Sequence, residues 1–264
     1  MISIVIRNKN EGTALKETLT ILREVYAQDV SEIILVDNQS TDNSVEIATS
    51  FDCRVITIKD FSYGKASNIG IDTASHPYVL LLSAHAVPVG DSFFKNSILA
   101  VQKDPTIAGI RYINSFKNYQ RAQAGNFKIV NGIEHGLMAA CALINKEVWK
   151  QTKFNEQLMA SEDKAWTQTV LDKGHTVIDL NETFFYFAKR DVNGGLKRWK
   201  IETLAYHKLS GKPFPRFGKI LSSFLYKLII KNPVAFFNVV KRDFKLLSTK
   251  LAVKKELRKN KDLN

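Results

Sequence analysis

Ile33-Ile34-Leu35-Val36-Asp37-Asn38-Gln39-Ser40-Thr41-Asp42 sets the fold. Four apolar residues, three of them β-branched, stop abruptly at six polar ones. A short apolar run bounded by turn formers reads as a buried strand. Thr41-Asp42-Asn43-Ser44 then opens a helix through Val45, Ile47 and Ala48, with Asp or Ser as its cap. Upstream, Ile2-Ser3-Ile4-Val5-Ile6 is a strand of the same kind, followed by Arg7, Asn8, Asn10 and Glu11. Residues 13–27 carry Leu15, Leu19, Leu22 and Val25 at helical spacing. Downstream come a third strand, Val55-Ile56-Thr57-Ile58, a helix over 65–73, and a fourth strand, Tyr78-Val79-Leu80-Leu81-Leu82, ending at Ser83-Ala84-His85. This alternation predicts an α/β fold, a parallel sheet with helices on both faces. Ligands of such sheets bind beyond the carboxyl ends of the strands. The polar groups that follow the four strands therefore share one edge.

After Pro88 the alternation is lost. The pattern predicts a helix over 93–101, a strand over 107–113, a polar loop over 114–136 and a small apolar segment over 138–144. A short helix over 146–150 follows. Ser161-Glu162-Asp163 leads a helix that ends at Gly174, and 176–180 and 184–188 are strand-like. Phe217, Ile220, Leu221, Phe224, Leu225, Leu228 and Ile229 then recur with the period of an amphipathic helix. Asn232-Pro233 is expected to stop it and to start another, with Phe236, Phe237, Val240, Phe244, Leu247 and Leu251 on one face.

With 45% hydrophobic and 24% charged residues, the 264-residue chain is neither collagen-like nor disordered. One α/β domain uses nearly all of it. Cys53 and Cys141 alone exclude a disulfide framework and a Cys-rich zinc site, and suit a reducing compartment. The net charge of +12 is unevenly spread. Residues 196–264 hold 18 Lys and Arg against 4 Asp and Glu, which leaves 20 against 22 in residues 1–195. A body without basic excess argues against nucleic acid as a partner. Arg7, Lys9 and Glu11 interrupt the first apolar run, so no export signal is expected. Lys227, Lys231 and Pro233 interrupt 220–240, so a spanning helix is not expected either. The expected division is 1–195, with a nucleotide half about 1–90 and an acceptor half about 91–195, followed by a basic helical extension over 196–264.

Ser3-Ile4-Val5-Ile6-Arg7-Asn8-Lys9-Asn10-Glu11 and Ile34-Leu35-Val36-Asp37-Asn38-Gln39-Ser40-Thr41-Asp42 resemble the opening of the family 2 glycosyltransferases. So do Gly64-Lys65-Ala66-Ser67-Asn68-Ile69-Gly70 and the strand running into Ser83-Ala84-His85-Ala86-Val87-Pro88. The resemblance resumes at Phe154-Asn155-Glu156 and Glu162-Asp163, and covers residues 1–190. It implies a GT-A-like fold, with a mostly parallel central sheet between helices and a C-terminal amphipathic extension beyond it. It also implies inverting transfer of a sugar from a nucleoside diphosphate donor.

On this resemblance Asp37, at an exposed strand end, reads the base, since a carboxylate accepts the ring N–H of uracil or thymine. The alternative is that Asp37 and Asp42 only cap a helix. Asn10 and Glu11 approach the base or ribose, or else serve as turn and cap residues. Arg7, Ser40, Ser83 and Ala84 complete the donor site. Lys65 and Asn68 lie near the diphosphate, where a Lys neutralises charge, although a lone Lys is commonly just solvated. His85 replaces the last acidic residue of the family's Asp-x-Asp-like element. An imidazole can ligate Mn²⁺ and suits Mg²⁺ poorly. A His-held metal, a metal-free site using positive side chains, and loss of activity all stay open.

Asp163 matches the family's base for the acceptor hydroxyl, with Glu162 in support. The alternative is an acidic pair favoured by the helix dipole. His135, His175, Arg190 and Arg198 carry weaker signals, and Trp149 and Trp166 read as core.

The resemblance points to a UDP- or dTDP-sugar donor and a glycan or lipid-linked acceptor, in surface polysaccharide or glycoconjugate synthesis. It fits a cytoplasmic protein, peripheral at the inner face of an anionic membrane. Two rival readings remain. One is an inactive sugar-nucleotide-binding scaffold. The other is a sugar-1-phosphate nucleotidyltransferase, for which the Gly-rich loop and following Arg are missing.

Overall fold

The computed structural model describes residues 2–188 and 191–261, with side chains described as far as Lys254. The chain forms two compact units, Met1–Gly211 and Lys212–Asn264. The first opens with the alternation that the sequence predicts: β1 Ile2–Asn8, α1 Gly12–Glu24, β2 Val30–Asp37, α2 Ser44–Ser50, β3 Arg54–Thr57, α3 Tyr63–Thr73 and β4 Tyr78–Ser83. It continues with β5 Ala86–Val89, α4 Phe93–Lys103, β6 Ile107–Ile113, α5 Phe116–Ala124, α6 Gly132–His135, β7 Cys141–Asn145 and α7 Lys146–Gln151. It closes with α8 Glu162–Asp172, β8 Thr176–Tyr186 and α9 Val192–Ser210.

The eight strands make one sheet in the order β3-β2-β1-β4-β7-β6-β8-β5. The first four pair in parallel, as do β6 and β8. β7 is antiparallel to both β4 and β6, and β5 is antiparallel to β8. The sheet is therefore mixed, with its parallel character concentrated in the first four strands. Two reversals through β7 leave β6 running with β4, so both carboxyl ends reach the edge that β1 and β2 also reach. Alternate residues of β1 feed different cores. Ile4 and Ile6 pack with Leu15, Leu19 and Leu82, and Val5 packs with Val36, Ile71 and Trp149. Burial on both faces explains why these strands read as unbroken apolar runs.

Local chemistry fixes the helix starts. The Asp42 carboxylate accepts from Gly12 N at 2.9 Å and from Ser44 N at 3.0 Å, so one side chain caps α1 and α2 together. Burial pushes this carboxyl up, but the bonds from Ser44 and Gly12 outweigh it and hold it below its ordinary value. Gly70 lets α3 lie close on β1, because a Cβ there would collide with Val5.

The structure departs from the sequence reading in four places. Residues 114–136 contain α5 and α6. Only Ala122 of α5 is buried, so the segment has no apolar period to reveal it. β5 was hidden by Pro88, which the sheet tolerates because β5 is an edge strand. β8 is one strand where two were expected. In the second unit the helix does not stop at Asn232-Pro233. α10 Phe217–Tyr226 passes through a π-helical turn, Lys227–Lys231, into α11 Asn232–Lys261. Pro233 cannot bond to the Ile229 carbonyl and crowds it. The wider turn just before it absorbs that crowding without breaking the helix. Residues Phe217–Lys254 are, by length and composition, long and apolar enough to cross a membrane.

Candidate active site

Three non-glycine residues with left-handed backbone, Asn10, Gln39 and Ser161, lie in the segments at this sheet edge. Such conformations cost energy and persist where the surroundings fix them. The first corner is built on Asp37. Its Oδ1 accepts from Asn8 Nδ2 at 2.9 Å and Ser40 Oγ at 2.6 Å, and its Oδ2 accepts from Ser40 N at 2.8 Å. Asn10 joins the network, donating its N–H to Ser40 Oγ and accepting from Thr41 N through Oδ1. Asp37 is only 1% exposed, not the exposed strand-end residue that the sequence suggested. The paired loops after β1 and β2 fold over it. Asn8 Oδ1 is buried and bonds to nothing among the described residues.

The second corner is the start of α8. Glu162 is buried, and its Oε1 accepts from Arg7 Nη1 at 3.0 Å. Asp163 is half-buried; its Oδ2 accepts from Ala139 N at 2.9 Å and its Oδ1 from Lys164 N at 2.8 Å. Burial and the adjacent Asp163 charge push the Glu162 carboxyl up to about 7, against the pull of Arg7.

The third corner is His85. Its Nε2 lies 3.0 Å from Ser83 Oγ and 3.1 Å from Tyr186 Oη, and its Nδ1 lies 3.6 Å from Glu11 Oε1. Thr18 Oγ1 of α1 donates to the Ala84 carbonyl and fastens the turn. The Ala84 side chain faces the core rather than the edge.

Lys65 and Asn68, paired by the sequence, part company here. Lys65 Nζ has Asp60 at 3.8 Å and is a third exposed, so it can reach an anion at the edge. All four hydrogen-bonding positions of Asn68 are taken. Its Nδ2 donates to the Phe154 carbonyl and Glu156 Oε1, and its Oδ1 accepts from Trp149 Nε1 and Phe154 N. This side chain clamps α3 to the 154–156 segment and is not turned to a ligand. Gly64 belongs to the same contact, since a Cβ there would strike the Asn155 carbonyl.

Residues 3–167 match the family model described as Glycosyl transferase family 2. The chain belongs to that family. The glycosyltransferase GlyG of Streptococcus pneumoniae serotype 4 (strain ATCC BAA-334 / TIGR4) is 34% identical over 135 residues, 48% of this chain and 42% of the relative. The chain thus spans less than half the length of that curated relative. Among solved structures, mannosyltransferase PcManGT from Pyrobaculum calidifontis, in complex with GDP-Man and Mn²⁺, aligns with a TM-score of 0.63 at 16% identity. The alignment covers 87% of this chain and 70% of that one. Glucosyl-3-phosphoglycerate synthase from Mycobacterium tuberculosis, with Mn²⁺, UDP-glucose and phosphoglyceric acid, aligns at 0.62 with 14% identity over 81% of each chain. S. aureus TarS with UDP aligns at 0.56 with 16% identity, over 77% of this chain and 64% of its own. At such identities the likeness establishes the GT-A-like fold.

The family's motifs thus occupy three corners of one edge in this member. The donor set around His85 does not fit a resident divalent cation. Both ring nitrogens already face partners, and Glu11 supplies a carboxylate at 3.6 Å from Nδ1. No group of three His, Cys, Asp or Glu side chains is arranged to hold a metal among the described residues. Tyr186, which completes this corner, was missed by the sequence reading. It reaches His85 because Ala86 pairs with Tyr186 across β5 and β8, and no local signal marks that pairing.

Trp149 and Trp166 are buried, as the sequence suggested. His135 ends α6, its carbonyl taken by Arg111 Nη1 at 2.7 Å, and His175 precedes β8 at the opposite edge. Arg121 pairs with buried Asp179 at 2.5 Å. Arg198 pairs with Glu202 at 2.6 Å along α9, and Arg190 lies outside the described residues.

Proposed function

We propose that the chain transfers a sugar, with inversion, from a nucleoside diphosphate donor to a hydroxyl of a glycan or lipid-linked acceptor. The observation that carries this reading is the Glu162–Asp163 pair at the start of α8, on the same sheet edge as the buried Asp37 network. Asp37 and Asn8 offer acceptors to a base N–H, which uracil, thymine and guanine all carry, and the proposed donor is a UDP- or dTDP-sugar. Lys65 offers positive charge to the diphosphate. Asp163 removes the proton from the acceptor hydroxyl as its oxygen attacks the anomeric carbon. The bond from that carbon to the diphosphate oxygen breaks, and the nucleoside diphosphate leaves with the electron pair. Direct displacement needs no enzyme nucleophile, so Cys53 and Cys141 have no part. Relatives whose names cite UDP, UDP-glucose and GDP-Man support the donor class, and surface-polysaccharide synthesis is the proposed setting.

The test offers UDP-, dTDP- and GDP-sugars and a glycan or lipid-linked acceptor to purified protein, with Mn²⁺ and with chelator, and follows nucleoside diphosphate release and the anomeric configuration of the product by NMR. Release from a UDP- or dTDP-sugar with an inverted product is the expected outcome. Tight nucleotide binding without turnover from any donor would favour the inactive scaffold.

We further propose that the second unit rests on the inner face of the membrane. Phe217, Phe224, Phe236, Phe237 and Phe244 are exposed along its helix. Crossing the bilayer would bury Lys227 and Lys231 near mid-span, at about 2.5–3.5 kcal/mol each. Lying in the interface avoids that cost. It also uses the basic excess of residues 212–264, 14 Lys and Arg against 3 Asp and Glu, where each Lys or Arg contributes about 1 kcal/mol near anionic lipid. Full-length protein should co-sediment with anionic vesicles, less so as salt rises. Protein truncated after Gly211 should stay in the supernatant. Full-length protein left in solution at low salt would defeat this reading.

A further inference from the structure

The family resemblance places Arg7 in the donor site, but its contacts lead elsewhere. Nη1 donates to Glu162 Oε1 at 3.0 Å and to Ser67 Oγ at 3.3 Å. Nη2 donates to the Ala139 carbonyl at 2.9 Å, and the N–H of that same residue donates to Asp163 Oδ2 at 2.9 Å. The Tyr63 ring covers the guanidinium at 5.3 Å. The Arg7 side chain is 11% exposed and Glu162 is 6% exposed, so water screens this pair little.

We infer that Arg7 is a positioning residue for the acceptor base, holding Glu162 directly and Asp163 through the backbone of Ala139. This rests on the glycosyltransferase reading above. Adjacent carboxylates in a buried site tend to share a proton. A permanently charged, planar fork lets both ionise and fixes their direction. The charges facing the pair come from Arg7 on β1, the paired carboxylates themselves on α8, and Arg111 on β6, which feels Asp163. Lysine supplies the charge without the fork, so it cannot reach Glu162 and Ala139 together.

The experiment compares Arg7→Gln, Arg7→Lys, Glu162→Gln and the Arg7→Gln/Glu162→Gln double variant. Three readouts are needed: UDP affinity, the rate of nucleoside diphosphate release against pH, and carboxyl ¹³C shifts of Glu-labelled protein. Arg7→Gln should lower kcat by about 10²-fold. UDP affinity should stay within about twofold of wild type. The acid limb and the ¹³C titration of Glu162 should both move up by about one pH unit. Arg7→Lys should recover the titration more fully than the rate. The double variant should fall short of the product of the two single losses, as coupled residues do.

A loss of UDP affinity with an unmoved limb would return Arg7 to the donor site and overturn the inference. Multiplicative losses would also overturn it. Should Arg7→Gln fail to fold, an Arg7→Lys protein with wild-type rate and titration would have the same force. The ¹³C titration needs no turnover, so an inactive wild type would defeat the glycosyltransferase reading while leaving this inference decided by the shift.

Discussion

Asp163→Asn should lose about 10²-fold or more in transfer rate while the nucleotide binds as before. The variant keeps the size of the side chain and one acceptor for the N–H groups of Ala139 and Lys164 that now hold it. It removes the ability to take a proton. Wild-type turnover should rise as pH climbs through about 7, where Glu162 gives up its proton. The sign for stability is opposite. Glu162 holds in the folded state, up to about 7, a proton that the unfolded chain releases near its ordinary 4.5. That contribution to stability is whole below 4.5 and is lost as pH rises through about 7. Rate and thermal-unfolding profiles of wild type and Glu162→Gln check both statements. Normal turnover by Asp163→Asn would move the base assignment to Glu162.

Asp37→Ala should weaken nucleotide binding and stability together. The carboxylate accepts three hydrogen bonds and is almost wholly buried. Removing it strands the Ser40 N–H and takes from the Asn8 amide one of its two partners, at about 1–3 kcal/mol for a polar group left unpaired. A lost charge-assisted bond to the base costs about 1.5–3 kcal/mol more in affinity, or roughly 10- to 100-fold. Calorimetric titration with UDP, set beside the melting temperature, separates the two effects. A lower melting temperature with unchanged affinity would make Asp37 a purely structural residue.

The first four strands and their helices were legible because their signals are local. Each strand is an apolar run and each helix has a period, so Asp37, His85 and the polar groups after β1 fall on one edge without further knowledge. Glu162–Asp163 was legible through the family motif and the helix start. What stayed hidden depends on contacts between distant segments. Arg7 sits on β1, yet its partners are 132 and 155 residues away. Tyr186 meets His85 through strand pairing over a span of 101 residues. Asn68 and Phe154-Asn155-Glu156 are two quoted motifs that turn out to be the two sides of one clamp. α5 escaped because a solvent-facing helix leaves no apolar period.

The Asn68 clamp bears on how the chain is made. Synthesis delivers α3 long before Trp149 and Phe154, which occupy the buried amide. Until they emerge, Asn68 has no internal partners and Gly64 has no surface to meet. β4 likewise has an open edge until β7 arrives. A ribosome-bound chain that ends before residue 149 therefore carries the first four strands without the finished clamp. Stalled chains should resist protease at α3 only once the clamp has left the exit tunnel.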